Sequence, residues 1–240
     1  MRASNFRRRS RRQVLRGALP LLALLLTLRV DAAERSLFNG QDLAGWQGNT
    51  KLWRVENGAI TAGSLAALVP HNDFLVTTQS FQNFDLRVKV QLLGTEGFVN
   101  SGVQFRSVRV PNNVEMSGYQ ADIGEGYWGT LYDESRRGTL VPKVLDPAAL
   151  QAALKPGAWN QYRIRVEGPH LQLWLNGVPT VDFTENDVSI AQDGLIGLQI
   201  HGNGKALAQY KDIVIQELPA TPGAPTWEKL GGDKPDAKKP

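Results

Sequence analysis

Three short stretches of this chain place hydrogen-bonding side chains at alternate positions, so that each, as a strand, would show one polar face. In Gly102-Val103-Gln104-Phe105-Arg106, Gln104 and Arg106 oppose Val103 and Phe105. In Tyr119-Gln120-Ala121-Asp122-Ile123, Gln120 and Asp122 share the polar side. In Ile196-Gly197-Leu198-Gln199-Ile200-His201, Gln199 and His201 do the same. If these strands neighbour one another, their faces assemble a patch of amides, a guanidinium, a carboxylate and an imidazole. Planar amides and guanidinium groups suit sugar hydroxyls, and a carboxylate beside an imidazole can move protons. The competing reading is a solvated sheet face.

The stretch Glu125-Gly126-Tyr127-Trp128-Gly129-Thr130-Leu131-Tyr132-Asp133-Glu134-Ser135-Arg136-Arg137 is equally dense. Rings such as Trp128 and Tyr132 can stack on the apolar face of a pyranose, while Glu134 and Arg136 can ionise or hold groups around it. That mixture on a loop points to binding more than the same residues in a core would; its alternative is a surface hairpin with local ion pairs. Of the three histidines, His71 and His170 fall in loop or turn contexts, and His201 precedes Gly202-Asn203-Gly204. Asp122, Glu125, Asp133 and Glu134 could offer oxygen ligands to calcium, yet their spacing matches no EF-hand-type loop. No cofactor or metal is therefore expected.

The elements that must position these residues read as short strands and turns. Phe84, Leu86, Val88, Val90 and Leu92 alternate with Asp85, Arg87, Lys89 and Gln91, the pattern of a half-buried antiparallel strand. Tyr162, Ile164 and Val166 alternate similarly, and Leu171, Leu173 and Leu175 lead into Asn176-Gly177, a strong hairpin signal. Val181 and Phe183 fit the returning strand, and Asn57-Gly58 marks a second hairpin. One short helix is predicted over 147–154, capped by Asp146, started by Pro147 and stopped by Pro156-Gly157. The pattern implies an all-β fold of two packed antiparallel sheets with one short helix. After Leu218 the chain becomes rich in Pro, Gly and Lys, so 219–240 is expected to be a flexible tail.

Composition narrows the partners. The 240 residues carry a formal charge of +4, but eight arginines and one acid fall in 1–32, which leaves the remainder near −3. A nucleic-acid partner, which needs a basic stripe on the folded domain, is not expected. The chain has no cysteine, which removes disulfides, thiolate nucleophiles and cysteine zinc sites. Arginines crowd before a short leucine run (Leu21 to Leu28) that ends in small residues at Val30-Asp31-Ala32. Residues 1–32 are read as a signal peptide, and Ser10-Arg11-Arg12-Gln13-Val14-Leu15-Arg16 is similar to a twin-arginine export signal. A periplasmic or secreted protein with no stable membrane span after signal removal is expected; its oligomeric state is not indicated.

Ser36-Leu37-Phe38-Asn39-Gly40-Gln41-Asp42-Leu43-Ala44-Gly45-Trp46 and Trp53-Arg54-Val55-Glu56-Asn57-Gly58 resemble the opening of the 3-keto-disaccharide hydrolase family. Phe84-Asp85-Leu86, Asn100-Ser101-Gly102-Val103, Gly118-Tyr119-Gln120, Trp159-Asn160-Gln161-Tyr162-Arg163-Ile164, Leu175-Asn176-Gly177, Leu198-Gln199-Ile200-His201-Gly202 and Ile213-Val214-Ile215 continue the resemblance in order. It spans about residues 36–218 and sets the domain at 33–218. The resemblance implies a concanavalin A-like jelly-roll sandwich whose concave sheet binds a saccharide. Some family members carry Glu where this chain has Gln120, which counts against a paired-carboxylate retaining mechanism. It further implies cleavage of a 3-keto-glycoside by proton abstraction at C2, elimination at C1 and hydration. The candidates for that chemistry are His201 or Asp122 as base, Arg106 as enolate clamp and Glu134 or Tyr132 as acid. Gln104, Gln120, Trp128, Tyr132, Arg136 and Gln199 would contact the sugar. The alternatives are a non-catalytic carbohydrate-binding module on the same fold, and a structural or adhesion domain.

Overall fold

The computed structural model describes Met1 and residues 33–231; the proposed signal peptide and the last nine residues lie outside this range. The larger sheet comprises β1 (Arg35–Ser36), β3 (Trp53–Glu56), β4 (Ala59–Gly63), β6 (Phe84–Gly97), β11 (Asn160–Glu167), β12 (His170–Leu175), β13 (Val178–Thr184) and β15 (Gly204–Glu217). The smaller comprises β2 (Trp46–Gln47), β5 (Asp73–Phe81), β7 (Asn100–Arg109), β8 (Met116–Gly124), β9 (Leu131–Glu134), β10 (Gly138–Val141) and β14 (Gly194–Ile200). Strand order is β13-β12-β11-β6-β15-β4-β3, with β1 on β15, in the first sheet and β10-β9-β8-β7-β14-β5-β2 in the second. All described pairings are antiparallel.

Period-two patterning accounts for the layers. The apolar positions of β6 and β11 (Phe84, Leu86, Val88, Tyr162, Ile164, Val166) face those of β7, β8 and β14 (Val103, Phe105, Ala121, Ile123, Leu198, Ile200) in one buried cluster. At roughly 1.5–3 kcal/mol for each large side chain fully buried, this layer holds the sheets together far more than the turns do. The Asn57-Gly58 and Asn176-Gly177 hairpins form as expected, with positive φ at all four residues. The helix α1 (Pro147–Ala153) is capped as expected, Asp146 accepting from the Ala149 amide at 2.9 Å. Among the described residues no helix is long and apolar enough to cross a membrane.

Two features depart from the sequence pattern. Residues 219–231, expected to be flexible, are tied to the domain. Asn83 donates to the Pro219 carbonyl at 2.7 Å and to Thr221 Oγ1 at 2.8 Å, and the Trp227 amide donates to Asp193 Oδ1 at 2.9 Å. The segment is poor in large apolar residues and buries Ala224, and composition carries no signal for anchoring through hydrogen bonds. The second departure lies inside β7. Arg106 has φ +49° and the β7–β8 register shifts between Phe105 and Val108, which marks a bulge. Gly194 makes room for it, since a Cβ there would lie 2.4 Å from the Arg106 carbonyl carbon.

Candidate functional site

Register sets the polar face of the smaller sheet. Gln199, Gly102 and Asp122 sit side by side on β14, β7 and β8; the next row holds Gly197, Gln104, Gln120 and Tyr132 on β14, β7, β8 and β9. Glycine at 102 is required by this packing, because a Cβ there would meet the Gln120 side chain at 2.3–2.5 Å. The amides form a directed chain: Ser107 Oγ donates to Gln104 Oε1 at 2.7 Å, and Gln104 Nε2 donates to Gln120 Oε1 at 2.8 Å. The NH2 of Gln120 is left as the donor at the end of that chain. Gln104, Gln120, Asp122 and Gln199 are all buried, so this is a sequestered polar layer and not a solvated sheet face.

The sheet curls over itself beyond the bulge. The β7–β8 hairpin folds onto β5, where Arg109 donates to the Phe74 carbonyl at 3.3 Å and Met116 is buried with Phe74, Val76 and Leu195 in a small second cluster. Strand β9 follows, and Glu134 reaches across β8 and β7 to accept from Gln199 Nε2 at 3.1 Å. Gln199 Oε1 is buried with no protein partner. Such an acceptor costs about 1–3 kcal/mol unless something else satisfies it.

Two carboxyl groups here are held well above their ordinary range. Burial pushes Asp122 up to about 6, even though Asn100 Nδ2 (3.1 Å) and the Ile123 amide (3.0 Å) both donate to its Oδ1. Burial, then the negative charges of Glu115 and Asp122, push Glu134 up to about 7. Burial, then the charges of Glu134 and Asp122, raise the Tyr132 hydroxyl as well. The two carboxyls can hold or release a proton near neutral pH, whereas Tyr132 stays protonated. The larger sheet fixes their backbones from behind: Tyr162 donates its hydroxyl to the Asp122 carbonyl, and Tyr210 donates to the Gln199 carbonyl at 2.8 Å.

His201 lies one register step beyond this row, its amide donating to the Asn100 carbonyl at 3.2 Å. Its ring packs edge-on against Phe98 with centroids 4.5 Å apart, and Phe98 in turn meets Tyr127 at 5.8 Å. Phe98 and Tyr127 are exposed, so three turns (β6–β7, β8–β9 and β14–β15) build an aromatic rim beside the polar floor. At the other end a cleft of about 350 Å³ runs along Glu115, Ser117, Ser135 and Trp227, the last from the anchored C-terminal segment.

Three residues expected in the site are elsewhere. The bulge turns Arg106 away from Gln104, and it donates to the carbonyls of Gln82 (2.9 Å) and Gly168 (2.7 Å) and to Asn83 Oδ1 (3.0 Å). Burial brings its guanidinium down to about 10, so it remains charged at neutral pH, but it serves as a brace. Arg136 follows Asp133, which sits on the opposite face of β9 from Tyr132 and Glu134; Arg136 Nε donates to Asp133 Oδ1 at 2.7 Å and the guanidinium stacks over Tyr119. Trp128 packs against the core, leaving Tyr127 as the outward ring. Asp133, fully buried between Arg136 and Arg137, cannot join a calcium ligand set with Asp122. Among the described residues no group of three or more His, Asp or Glu side chains is placed to hold a metal. Asn100 and Ser107 were not singled out from sequence, although Asn100 shares the parity of Gly102 and Gln104. Glu115 and Phe98 carry no periodic signal and are brought in by the curl and the turns.

Residues 33–216 match the model of the 3-keto-alpha-glucoside-1,2-lyase-like domain, and the chain belongs to that family. Among solved structures, a candidate glycosyl hydrolase from Parabacteroides distasonis superposes with a TM-score of 0.58 at 20% identity, covering 78% of this chain and 94% of that one. The carbohydrate-binding module CBM66 from Bacillus subtilis gives 0.53 at 13% identity over 72% of this chain and 96% of the module. The Emp47p carbohydrate recognition domain gives 0.52 at 13% identity over 79% and 98%. These likenesses establish the jelly-roll fold. No curated protein sequence matches the chain significantly.

Proposed function

We propose that this domain cleaves the glycosidic bond of a 3-keto-glycoside by elimination across C1 and C2, followed by hydration. The observation that carries the reading is the pair of buried carboxyls, Asp122 and Glu134, raised to about 6 and about 7 over a floor of glutamine amides. A ketone at C3 acidifies the proton on C2. Asp122, ionised above about pH 6, takes that proton, and the electron pair forms an enolate between C2 and C3. The enolate collapses, the C1–O bond breaks, and Glu134 delivers its proton to the departing oxygen. Water then adds at C1 of the enone, closing the balance as a hydrolysis.

With Arg106 braced elsewhere, enolate stabilisation falls to the NH2 of Gln120 and the Tyr132 hydroxyl, both neutral donors. The rim of Phe98, Tyr127 and His201 offers ring faces and edges for the apolar side of a pyranose. The family assignment supports this reaction over ordinary glycoside hydrolysis, since elimination needs the 3-keto group and a retaining mechanism does not. Export to the periplasm or outside the cell, from the leader-like residues 1–32, is proposed on sequence alone.

The test is incubation of the purified protein with 3-keto-trehalose or an aryl 3-keto-glucoside beside the unoxidised parent, in deuterated water. Release from the keto form alone, with deuterium at C2 of the product, is the expected result. Release from both forms without C2 exchange would replace elimination by direct hydrolysis. Binding of sugar without release from either would make the domain a carbohydrate-binding module, the reading that the buried amide floor also accommodates.

A further inference from the structure

The outer face of the larger sheet carries a second groove, of about 650 Å³, whose charged lining, Lys89, Lys155, Arg163 and Lys211, includes no acidic residue. It lies on the opposite face of the sandwich from any residue of the concave site. Register places Gln161, Lys89 and Lys211 directly beside one another on β11, β6 and β15, and sets Arg163 directly against Arg87. Like charges placed opposite one another destabilise a sheet unless acids offset them, as Glu34 does for Arg87. Lys89 is offset by Asp212 at 2.7 Å and Arg163 by Asp85, whereas among the described residues no acid pairs with Lys155 or Lys211.

Two indoles flank these cations. Lys211 Nζ stands 4.1 Å from the Trp159 ring centre, and the Arg163 guanidinium carbon 4.5 Å from that of Trp174. Both tryptophans stay partly exposed. The loop that presents Lys155 and Trp159 is rigid, because the buried Asn160 ties it down: its Oδ1 accepts from the Lys155 amide at 2.9 Å, and its Nδ2 donates to the carbonyls of Lys155 and Ala158, each at 2.9 Å. Asn176 Nδ2 completes the knot at 2.7 Å.

We infer that this groove is a binding site for an acidic saccharide segment, one bearing carboxylate or sulfate groups, distinct from the concave site. Indole surfaces next to Gln161 suit sugar rings and hydroxyls, and Lys155 and Lys211 suit the anionic substituents. Indoles and amides beside the cations favour sugar rings over a phosphate backbone, and a nucleic acid is the competing outcome that titration with polyphosphate tests. The site would hold the protein on an acidic polymer while the concave face acts on a neutral sugar.

Calorimetric titration of the full-length mature protein with an oligogalacturonate and a chondroitin sulfate oligosaccharide tests this, beside a neutral cello-oligosaccharide and inorganic polyphosphate. One of the acidic oligosaccharides should bind, the neutral one should not bind at this groove, and Lys155→Glu with Lys211→Glu should weaken the acidic ligand at least tenfold. Lys155→Glu alone, at an exposed position outside the sheet, guards against a folding defect and should weaken it several-fold. Glu134→Gln should leave this binding unchanged, which separates the groove from the concave site. The inference is overturned if neither acidic oligosaccharide binds, if the charge reversals change nothing, if Glu134→Gln removes the binding, or if polyphosphate binds as tightly.

Discussion

At the β7 bulge every nitrogen of the Arg106 guanidinium group finds an oxygen partner, and Asn83, which accepts from it, also accepts from the Gly168 amide and donates to Pro219 and Thr221. Across the same sheet, Gln199 leaves a buried oxygen without a partner, and Asp122 and Glu134 are pushed toward neutral pH. Both regions bury polar side chains, but the first is saturated and the second is not. Glu185 belongs with the saturated region: although buried, it is held below the usual carboxylate range by hydrogen bonds from Arg137 (2.7 Å) and Tyr119 (2.6 Å). Saturation stabilises a fold, while an unsatisfied group with a shifted proton affinity is available to a ligand. The difference marks Asp122, Glu134 and Gln199 as groups a ligand could engage.

The comparison can be broken by substitution, and the largest effect should fall at Glu134. Glu134→Gln should lower kcat on a 3-keto-glycoside by about 10²–10⁴ and remove the alkaline limb near pH 7, without lowering the thermal midpoint. A variant that unfolds instead would make Glu134 a brace like Arg106. Arg106→Met should do the reverse. It strips the donors from two backbone carbonyls and from Asn83, at about 1–3 kcal/mol for each orphaned buried group. Urea denaturation should show that loss while kcat per folded molecule stays the same; a selective loss of kcat would restore Arg106 to the site.

A smaller effect, of opposite sign, is expected at Asp122. A carboxyl whose folded pKa lies above its unfolded value binds a proton more tightly when folded, so it weakens the fold as pH rises from about 4 to about 6. Asp122→Asn should therefore raise stability by on the order of 3 kcal/mol above pH 6, with no gain at pH 4, as read by thermal melts across pH. An unchanged difference at both pH values would mean the group is not shifted. Smallest of all, Tyr127→Ala should weaken sugar binding a few-fold at constant stability. Trp128→Ala, which empties a place against the core, should cost stability first.

Much of this is legible in the order of residues. The parity of Gln120 and Asp122, and of Gln199 and His201, is a local property of an extended chain and was readable residue by residue. The Asn57-Gly58 and Asn176-Gly177 turns and the Asp146 cap were equally local. The same parity rule, applied to β9, separates Tyr132 and Glu134 from Asp133. Arg106 defeated the reading because one residue at φ +49° reverses the alternation, and nothing in Phe105-Arg106-Ser107 announces it. Trp128 and Arg136 were misplaced because a run of aromatic and charged residues looks the same whether its members face a ligand, a core or each other.

Residue order alone thus determined the strands, their two-sided character, the hairpins, the helix and the family, since each depends on contacts or patterns within a few neighbours. Only the tertiary structure decided which polar faces meet. Glu134 and Gln199 are separated by two intervening strands and by 65 positions, and they come together because the sheet bends beyond the bulge and folds its hairpin back onto β5. Their shifted protonation follows from that meeting, because burial and repulsion between carboxylates act through space and leave no mark on the order of residues.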